Sequence, residues 1–303
     1  MRVALAPMAG VTDWAFRTIC KETADVQTTT EMVSAKALCY QDKKSLGLLR
    51  LVSKDETVQI FGSDPGCMAE GALRALDISG AAEININMGC PTPKIVKNGD
   101  GCALMQTPDL AEAIAKAVVG AVKVPVTVKM RLGWDSGSKN AAELAKRLEG
   151  AGVSGLCVHG RTRKQMYSGH ADWYAIAEVV KAVSVPITAN GDIFSLRDLE
   201  RCLNITGAAA GMIGRAAMGN PFVFTGEEPA VARRLEKAGR HFGLLTEDKG
   251  ERVACLEMRK HLGWYIRGFH CASYYKREIS SIATAADFDR CIKRLREERD
   301  GTV

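Results

Sequence analysis

Glu83-Ile-Asn-Ile-Asn-Met-Gly-Cys-Pro91 is a short β-rich stretch that ends in an amide, Asn87, turns at a glycine and presents a thiol ahead of a proline. The turn stops the strand and leaves the Cys90 sulfur at a strand end. An ordinary thiol is mostly protonated at neutral pH, so it can act as an acid. The plainer reading makes Cys90 a small buried hydrophobe, the common fate of a free cysteine. What decides between them lies in the rest of the chain.

Outward from this run, seven more β-rich runs occur before about residue 220, at 3–8, 27–32, 57–61, 125–129, 155–159, 186–190 and 209–213. Amphipathic segments with helix signals separate them. Thr107-Pro-Asp-Leu110 reads as an N-cap followed by proline at the first helical position. Leu110, Ala113, Ile114, Ala117 and Val118 then make one apolar face. Ser195-Leu-Arg-Asp198 resembles a capping box with Asp in place of Glu. Leu144, Ala145 and Leu148 form another inward stripe, closed by Gly150 and Gly152. Eight βα units in this length predict an α/β fold, a parallel (β/α)8 TIM barrel. The rival is a doubly wound open sheet, weakened because no G-x-G-x-x-G follows the first strand.

After residue 229 the strand-like runs stop, and Leu256, His261, Leu262, Tyr265 and Ile266 recur at helical intervals among charges. Residues 1–228 are therefore expected to form the barrel domain and 229–303 a small helical domain. The second holds sixteen Lys or Arg against eleven Asp or Glu, most of the net charge of +6 of the 303-residue chain. That modest excess hints at a polyanionic partner. No apolar run approaches the eighteen or so residues that span a bilayer, and the N-terminus lacks the layout of a signal peptide. The ten cysteines include no C-x-x-C pair and no metal spacing with histidine, so reduced thiols in a cytoplasmic protein are expected.

In a barrel, chemistry gathers at the C-terminal ends of the strands. Those positions here hold Ala6-Pro-Met-Ala-Gly10, Glu31, Gln59, Asn87 with Cys90, Lys129-Met-Arg131, His159-Gly-Arg161-Thr-Arg163, Asn190-Gly-Asp192 and Gly214-Arg215. Nearly every strand delivers a polar group to one rim, which points to an enzyme. Gly191 and Gly214 are each explicable as turns; together, with Arg215, they favour a phosphate site. Lys129 is either a fixed cation in the mouth or a snorkelling surface lysine. His159 is read as a donor to a ligand, with proton carrier and satisfied rim histidine as alternatives. Arg131, Arg161 and Arg163 make either a solvated patch or a guide for a phosphate-rich substrate. Trp173 reads as packing.

These segments, with Glu31-Met-Val-Ser34, Gln59-Ile-Phe-Gly62 and Met212-Ile-Gly-Arg-Ala216, resemble the tRNA-dihydrouridine synthases, and Arg259-Lys-His-Leu-Gly-Trp-Tyr265 resembles their bacterial B subgroup. The resemblance implies FMN as prosthetic group, NADPH as reductant and a D-loop uridine of tRNA as substrate. By position, Pro7, Met8 and Ala9 would line the flavin. Gln59 and Lys129 would contact its polar edge, with His159 beside it, and Asn190, Gly191, Asp192, Gly214 and Arg215 would hold the phosphate. Asp192 would work through its backbone or on ribityl hydroxyls, since its carboxylate would repel phosphate. Cys90 would donate the proton, with Asn87 and Arg131 near the uracil, and the helical domain would help dock tRNA. The implied partner is tRNA, not DNA or a membrane, and the chain is expected to be a monomer.

Two departures from the family stand out. The first strand begins almost at once, so the barrel floor is expected to be less well plugged, and Cys102 stands where a small residue is common. No side chain supplies hydride, so reduction of a C5=C6 bond requires a cofactor. Two rival readings are a barrel flavoenzyme acting on a free pyrimidine, of the dihydroorotate dehydrogenase kind, and a non-catalytic RNA-binding protein. The first needs no basic tail, and the second needs neither Lys129 nor Cys90.

Overall fold

Residues 2–269 and 272–297 are described by this computed structural model. The strands are β1 (Val3–Leu5), β2 (Val33–Ser34), β3 (Thr57–Phe61), β4 (Glu83–Met88), β5 (Val126–Arg131), β6 (Gly155–His159), β7 (Ile187–Asn190) and β8 (Ala210–Ile213). They form one parallel sheet in the order β1-β8-β7-β6-β5-β4-β3-β2. Residues 27–29 close the ring, with Gln27 bridging to Ala4 and Thr29 to Thr57. This is the (β/α)8 barrel that the alternation of runs predicts.

The second strand differs from expectation. Residues 27–32 make only isolated bridges, and regular pairing moves to Val33–Ser34. The cause is a threonine run whose hydroxyls compete with the ladder. Thr28 Oγ1 donates to the Glu56 carboxylate, while Thr30 Oγ1 accepts from Gln59 N at 3.1 Å and donates to Glu31 O at 3.0 Å. β1 stops at Leu5 rather than residue 8. Pro7 has no N–H to continue the ladder, and Val11 N and Thr12 N turn back onto Met8 O.

The helix after β4 runs Pro108–Ala121 with Pro108 at its start, but Thr107 makes no side-chain cap bond. Its buried face is Ala111, Ile114, Ala115 and Val118, an i, i+3, i+4, i+7 set shifted from the expected one, and Ala113 is exposed. Ser195 caps helix Leu196–Thr206 through Asp198 N at 3.0 Å, and the Asp198 carboxylate returns to Phe194 N at 3.1 Å. That is one residue before the donor a capping box uses.

Side chains alternate along a strand, and parallel register puts opposed residues on one face. Asn85 lies opposite Thr127, Asn87 opposite Lys129, Lys129 opposite Cys157, Arg131 opposite His159, and His159 opposite Asn190. These residues face the barrel interior. Their neighbours Ile84, Ile86, Val126, Val128, Leu156 and Val158 are buried on the other face. Ala4, Ala6, Cys157 and Met212 form a separate small apolar cluster against Met8.

Two compact units divide the chain: one runs to Asp13 and resumes over Val26–Gly214, and the other takes Trp14–Asp25 and Arg215–Val303. The helical unit thus includes residues 14–25 and 215–228, which the sequence groups with the barrel. Its core explains why: Ala15 and Ile19 of helix Trp14–Lys21 pack with Leu235, Phe242, Met258, Leu262 and Tyr265. Helices Val231–Lys249 and Glu251–Tyr265 form a hairpin joined at Gly250, followed by Ala272–Ser281 and Ala285–Glu297.

His241 and His261 meet edge-on inside this unit, ring centroids 4.5 Å apart, with Phe16 5.7 Å from His261. Neither ring nitrogen of His261 has a hydrogen-bond partner among the described residues. Burial, then the charges of His241, Lys260 and Lys249, hold its imidazolium well below the ordinary 6.5. The folded ring stays neutral while the unfolded one takes a proton. Its contribution to stability is therefore complete above pH 6.5 and is lost as pH falls from there toward the depressed folded value. Denaturant titrations at pH 7.5 and 5.5 are expected to show a loss approaching about 1.4 kcal/mol for each pH unit below that point. His261→Leu should flatten this dependence.

Candidate active site

The turn after β4 is built around Asn87. Its Oδ1 accepts from Gly89 N at 3.1 Å and Cys90 N at 2.9 Å, the side-chain mimicry of a backbone turn that asparagine favours. Arg131 holds the same turn from β5, with Nε donating to Gly89 O at 2.9 Å. Cys102 N donates to Cys90 O at 3.0 Å. The Cys90 thiol is half-buried and lies 3.3 Å from Thr92 Oγ1. Cys102 is fully buried, and burial pushes its thiol up to about 12. Both are free thiols.

Arg131 is only 2% exposed. Besides Gly89 it donates to Thr162 O and Met166 O at 2.9 and 2.8 Å, under the ring of Tyr167. Arg161 is 1% exposed. Its guanidinium donates to Ser168 O, Gly169 O and, at 2.8 Å, the Asp192 carboxylate. Neither belongs to a solvated patch. They are struts that tie the loop after β6 to β4 and β7. Arg163 is half-buried over Trp134, 4.8 Å from the ring centre.

Lys129 Nζ donates to Asn190 Oδ1 at 3.1 Å, and Asn190 Nδ2 donates to Met212 O at 2.8 Å. Burial lowers the Lys129 ammonium from its ordinary 10.5, as expected of a cation inside the barrel rather than one snorkelling outside. Gln59 and Asn87 join across β3 and β4 at 2.8 Å. His159 is buried beside Arg161, and its ring lies 6.4 Å from that of Tyr167.

The loop after β7 passes close over that imidazole. Gly191 has φ +113°, and a Cβ there would sit 2.8 Å from His159 Cδ2 and 2.8 Å from Ala171 Cβ. Trp173 Nε1 donates to Gly191 O at 2.9 Å, so this tryptophan secures the loop. Asp192 has φ +53° and turns its carboxylate to Arg161 and Ala171 N. On the first loop, Pro7 and Met8 are half-buried and Ala9 is exposed. Met8 N donates to Thr12 Oγ1 at 2.8 Å, and Gly10 N donates to the Glu31 carboxylate. Gly214 is the last residue of the barrel unit, facing Ala6 and Met8; Arg215 opens a short 3-10 turn, Arg215–Ala217, of the helical unit.

The barrel interior thus brings together Gln59, Asn87, Lys129, Arg131, His159 and Asn190. Missed in the sequence were the Arg161 strut and the interior residues Asn85, Thr127 and Glu83. The alternation in Glu83-Ile-Asn-Ile-Asn87 would have revealed Asn85 and Glu83, which share the face of Asn87. Among the described residues no group of three His, Cys, Asp or Glu side chains could hold a metal ion, and no helix is long and apolar enough to cross a membrane.

A family model described as dihydrouridine synthase matches residues 4–298. The chain is similar to the probable tRNA-dihydrouridine synthase 1 of Synechocystis, 42% identical over 296 residues that cover 93% of this chain and 82% of that one. It is similar to tRNA-dihydrouridine synthase B of Vibrio parahaemolyticus, 41% identical over 297 residues covering 93% and 91%. A probable tRNA-dihydrouridine synthase of Rickettsia conorii is 39% identical over 292 residues, covering 92% and 88%.

Proposed function

The chain belongs to the dihydrouridine synthase family, and from that premise we propose that it reduces the C5=C6 bond of a D-loop uridine in tRNA, with Cys90 as the proton donor. The observation that carries this reading is the Cys90 turn. A half-buried thiol is held at a strand end by Asn87 and Arg131, beside an interior that holds Lys129, His159 and Asn190.

The residues present fit FMN. A buried ammonium, a pair of amides and a loop whose glycine leaves no room for a Cβ are what a flat, anionic, phosphate-bearing group needs. Pro7, Met8 and Ala9 would line its ring, Gln59, Lys129 and His159 its polar edge, and Asn190, Gly191, Asp192, Gly214 and Arg215 its phosphate end. Bound FMN, with NADPH as reductant, supplies the hydride for uracil C6. Cys90 gives its proton to C5. Lys129 offsets negative charge on the ligand, at more effect because it is desolvated. Asn87 and Arg131 keep the thiol in place.

A uridine inside folded RNA must leave its stack to reach a barrel mouth. The basic helical unit would supply sequence-independent backbone contacts, weakening as salt rises. The protein is read as a cytoplasmic monomer that acts on tRNA and not on DNA.

The test is direct. Unmodified tRNA is incubated with flavin-loaded protein and NADPH, and dihydrouridine is mapped. Formation of dihydrouridine in the D-loop is expected. Reduction of free uracil without tRNA, or no product in tRNA, would overturn the reading.

A further inference from the structure

A single polarised chain of hydrogen bonds runs through the barrel interior. Gly89 N and Cys90 N donate to Asn87 Oδ1 at 3.1 and 2.9 Å. Asn87 Nδ2 donates to Gln59 Oε1 at 2.8 Å, and Gln59 Nε2 to Asn85 Oδ1 at 2.7 Å. Asn85 Nδ2 donates to Thr127 Oγ1 at 2.8 Å, and Thr127 Oγ1 to Glu83 Oε1 at 2.5 Å. Every donor points the same way, from the rim toward the start of β4.

The middle of this chain is ambidextrous. Three amides and a hydroxyl each carry both donor and acceptor, and each can be turned round. The ends are not. A backbone N–H only donates, and an ionised carboxylate only accepts. We propose that Glu83, acting through Thr127, is a positioning residue for the catalytic thiol: its acceptor-only end fixes the polarity of the amide chain, which turns the Asn87 carbonyl toward Gly89 N and Cys90 N.

Reversed, the Asn87 amide would set its own N–H groups against two backbone donors, and the turn would open. The effect travels four strand residues, about 13 Å, from the half-buried Glu83 and Thr127 through Gln59 and Asn85, which are shielded from water, where such networks are strongest. Gln59 and Asn85 are 1% and 7% exposed. The inference deepens the reading of Cys90 as proton donor and rests on it.

The experiment uses the full chain loaded with FMN, at pH 8, because burial raises the Glu83 carboxyl above its ordinary range and an alkaline medium favours its ionised, acceptor-only form. Two quantities are read: the rate of Cys90 alkylation by iodoacetamide, resolved by mass spectrometry, and dihydrouridine formed in a single turnover on tRNA. Thr127→Val keeps the side-chain shape and removes the hydroxyl. It is expected to raise Cys90 alkylation severalfold and to slow the single turnover by about 10- to 100-fold, the range of a small misplacement, both read in protein saturated with FMN. Thr127→Ser, which retains the hydroxyl, should recover both. In an Asn87→Ala background, where the chain is already cut, Thr127→Val should add nothing.

Equal losses from Thr127→Val in the two backgrounds, or a Thr127→Ser as impaired as Thr127→Val, would overturn the proposal. If Thr127→Val does not fold, Glu83→Gln replaces the acceptor-only end with an amide that faces either way. A partial change of the same kind supports the proposal; wild-type alkylation and turnover in that variant sink it. The alkylation rate does not depend on uridine chemistry. A wild type that reduces no uridine would refute the functional reading, while Cys90 alkylation would still decide the role of Glu83.

Discussion

Cys90→Ala is expected to retain FMN and tRNA at wild-type affinity while forming dihydrouridine roughly 10²–10⁴-fold more slowly, the usual worth of a placed general acid. The separation of binding from turnover follows from how the turn is held. Its fixed points are backbone atoms: Cys90 N to Asn87, Gly89 O to Arg131, and Cys90 O to Cys102 N. None involves the sulfur, so alanine leaves them in place. The sulfur's own contact is with Thr92 Oγ1. A hydroxyl is a far weaker acid than a thiol and cannot replace it. Flavin absorbance of the purified variant reports cofactor retention, and dihydrouridine mapped after a timed incubation reports turnover. Uridine reduction at the wild-type rate would show that another group delivers the proton.

Gly191→Ala is expected to weaken flavin binding by about 10- to 100-fold in a protein that still folds. Alanine at φ +113° is strained by about 1–3 kcal/mol. Its Cβ would also meet the His159 ring and Ala171 Cβ at 2.8 Å, so either the ring or the loop must move. Trp173 bonded to Gly191 O resists movement of the loop. If all the strain falls on the bound state, FMN affinity drops by about 10- to 100-fold, at 1.4 kcal/mol per factor of ten. Gly80→Ala is the control. Gly80 closes helix Pro65–Ser79 at φ +65°, and a Cβ added there would meet no atom within 4 Å, so strain there costs stability and leaves flavin binding alone. Fluorescence titration with FMN compares the two. Wild-type affinity in Gly191→Ala would remove this loop from the phosphate site.

The strand-end polar groups were legible because the cues are local. Gly89 and Pro91 end β4, Gly191 ends β7, and side chains two apart share a face. From these, Asn87, Lys129, His159 and Asn190 could be placed on one interior before any pairing was known. Threonines 28–30 misled for an equally local reason. They are strong strand formers, yet their hydroxyls bond Glu56, Gln59 N and Glu31 O, and the ladder is broken. Arg131 and Arg161 misled differently. Arginine next to a glycine-rich rim reads as a solvated patch or as a guide for a phosphate-rich substrate, and nothing nearby in sequence announces that its donors will meet Thr162 O, Met166 O or the Asp192 carboxylate.

Strand alternation, turn residues and the parallel barrel were thus written in neighbours a few residues apart, where backbone preference and side-chain period act. The tertiary structure alone decided partnership: Asn87 with Gln59, Lys129 with Asn190, Arg161 with Asp192. Those pairs lie 28, 61 and 31 residues apart in the chain. Only the register of the closed sheet brings them within hydrogen-bond reach. Burial then makes each bond obligatory, because an interior donor or acceptor that fails to pair has no water to fall back on.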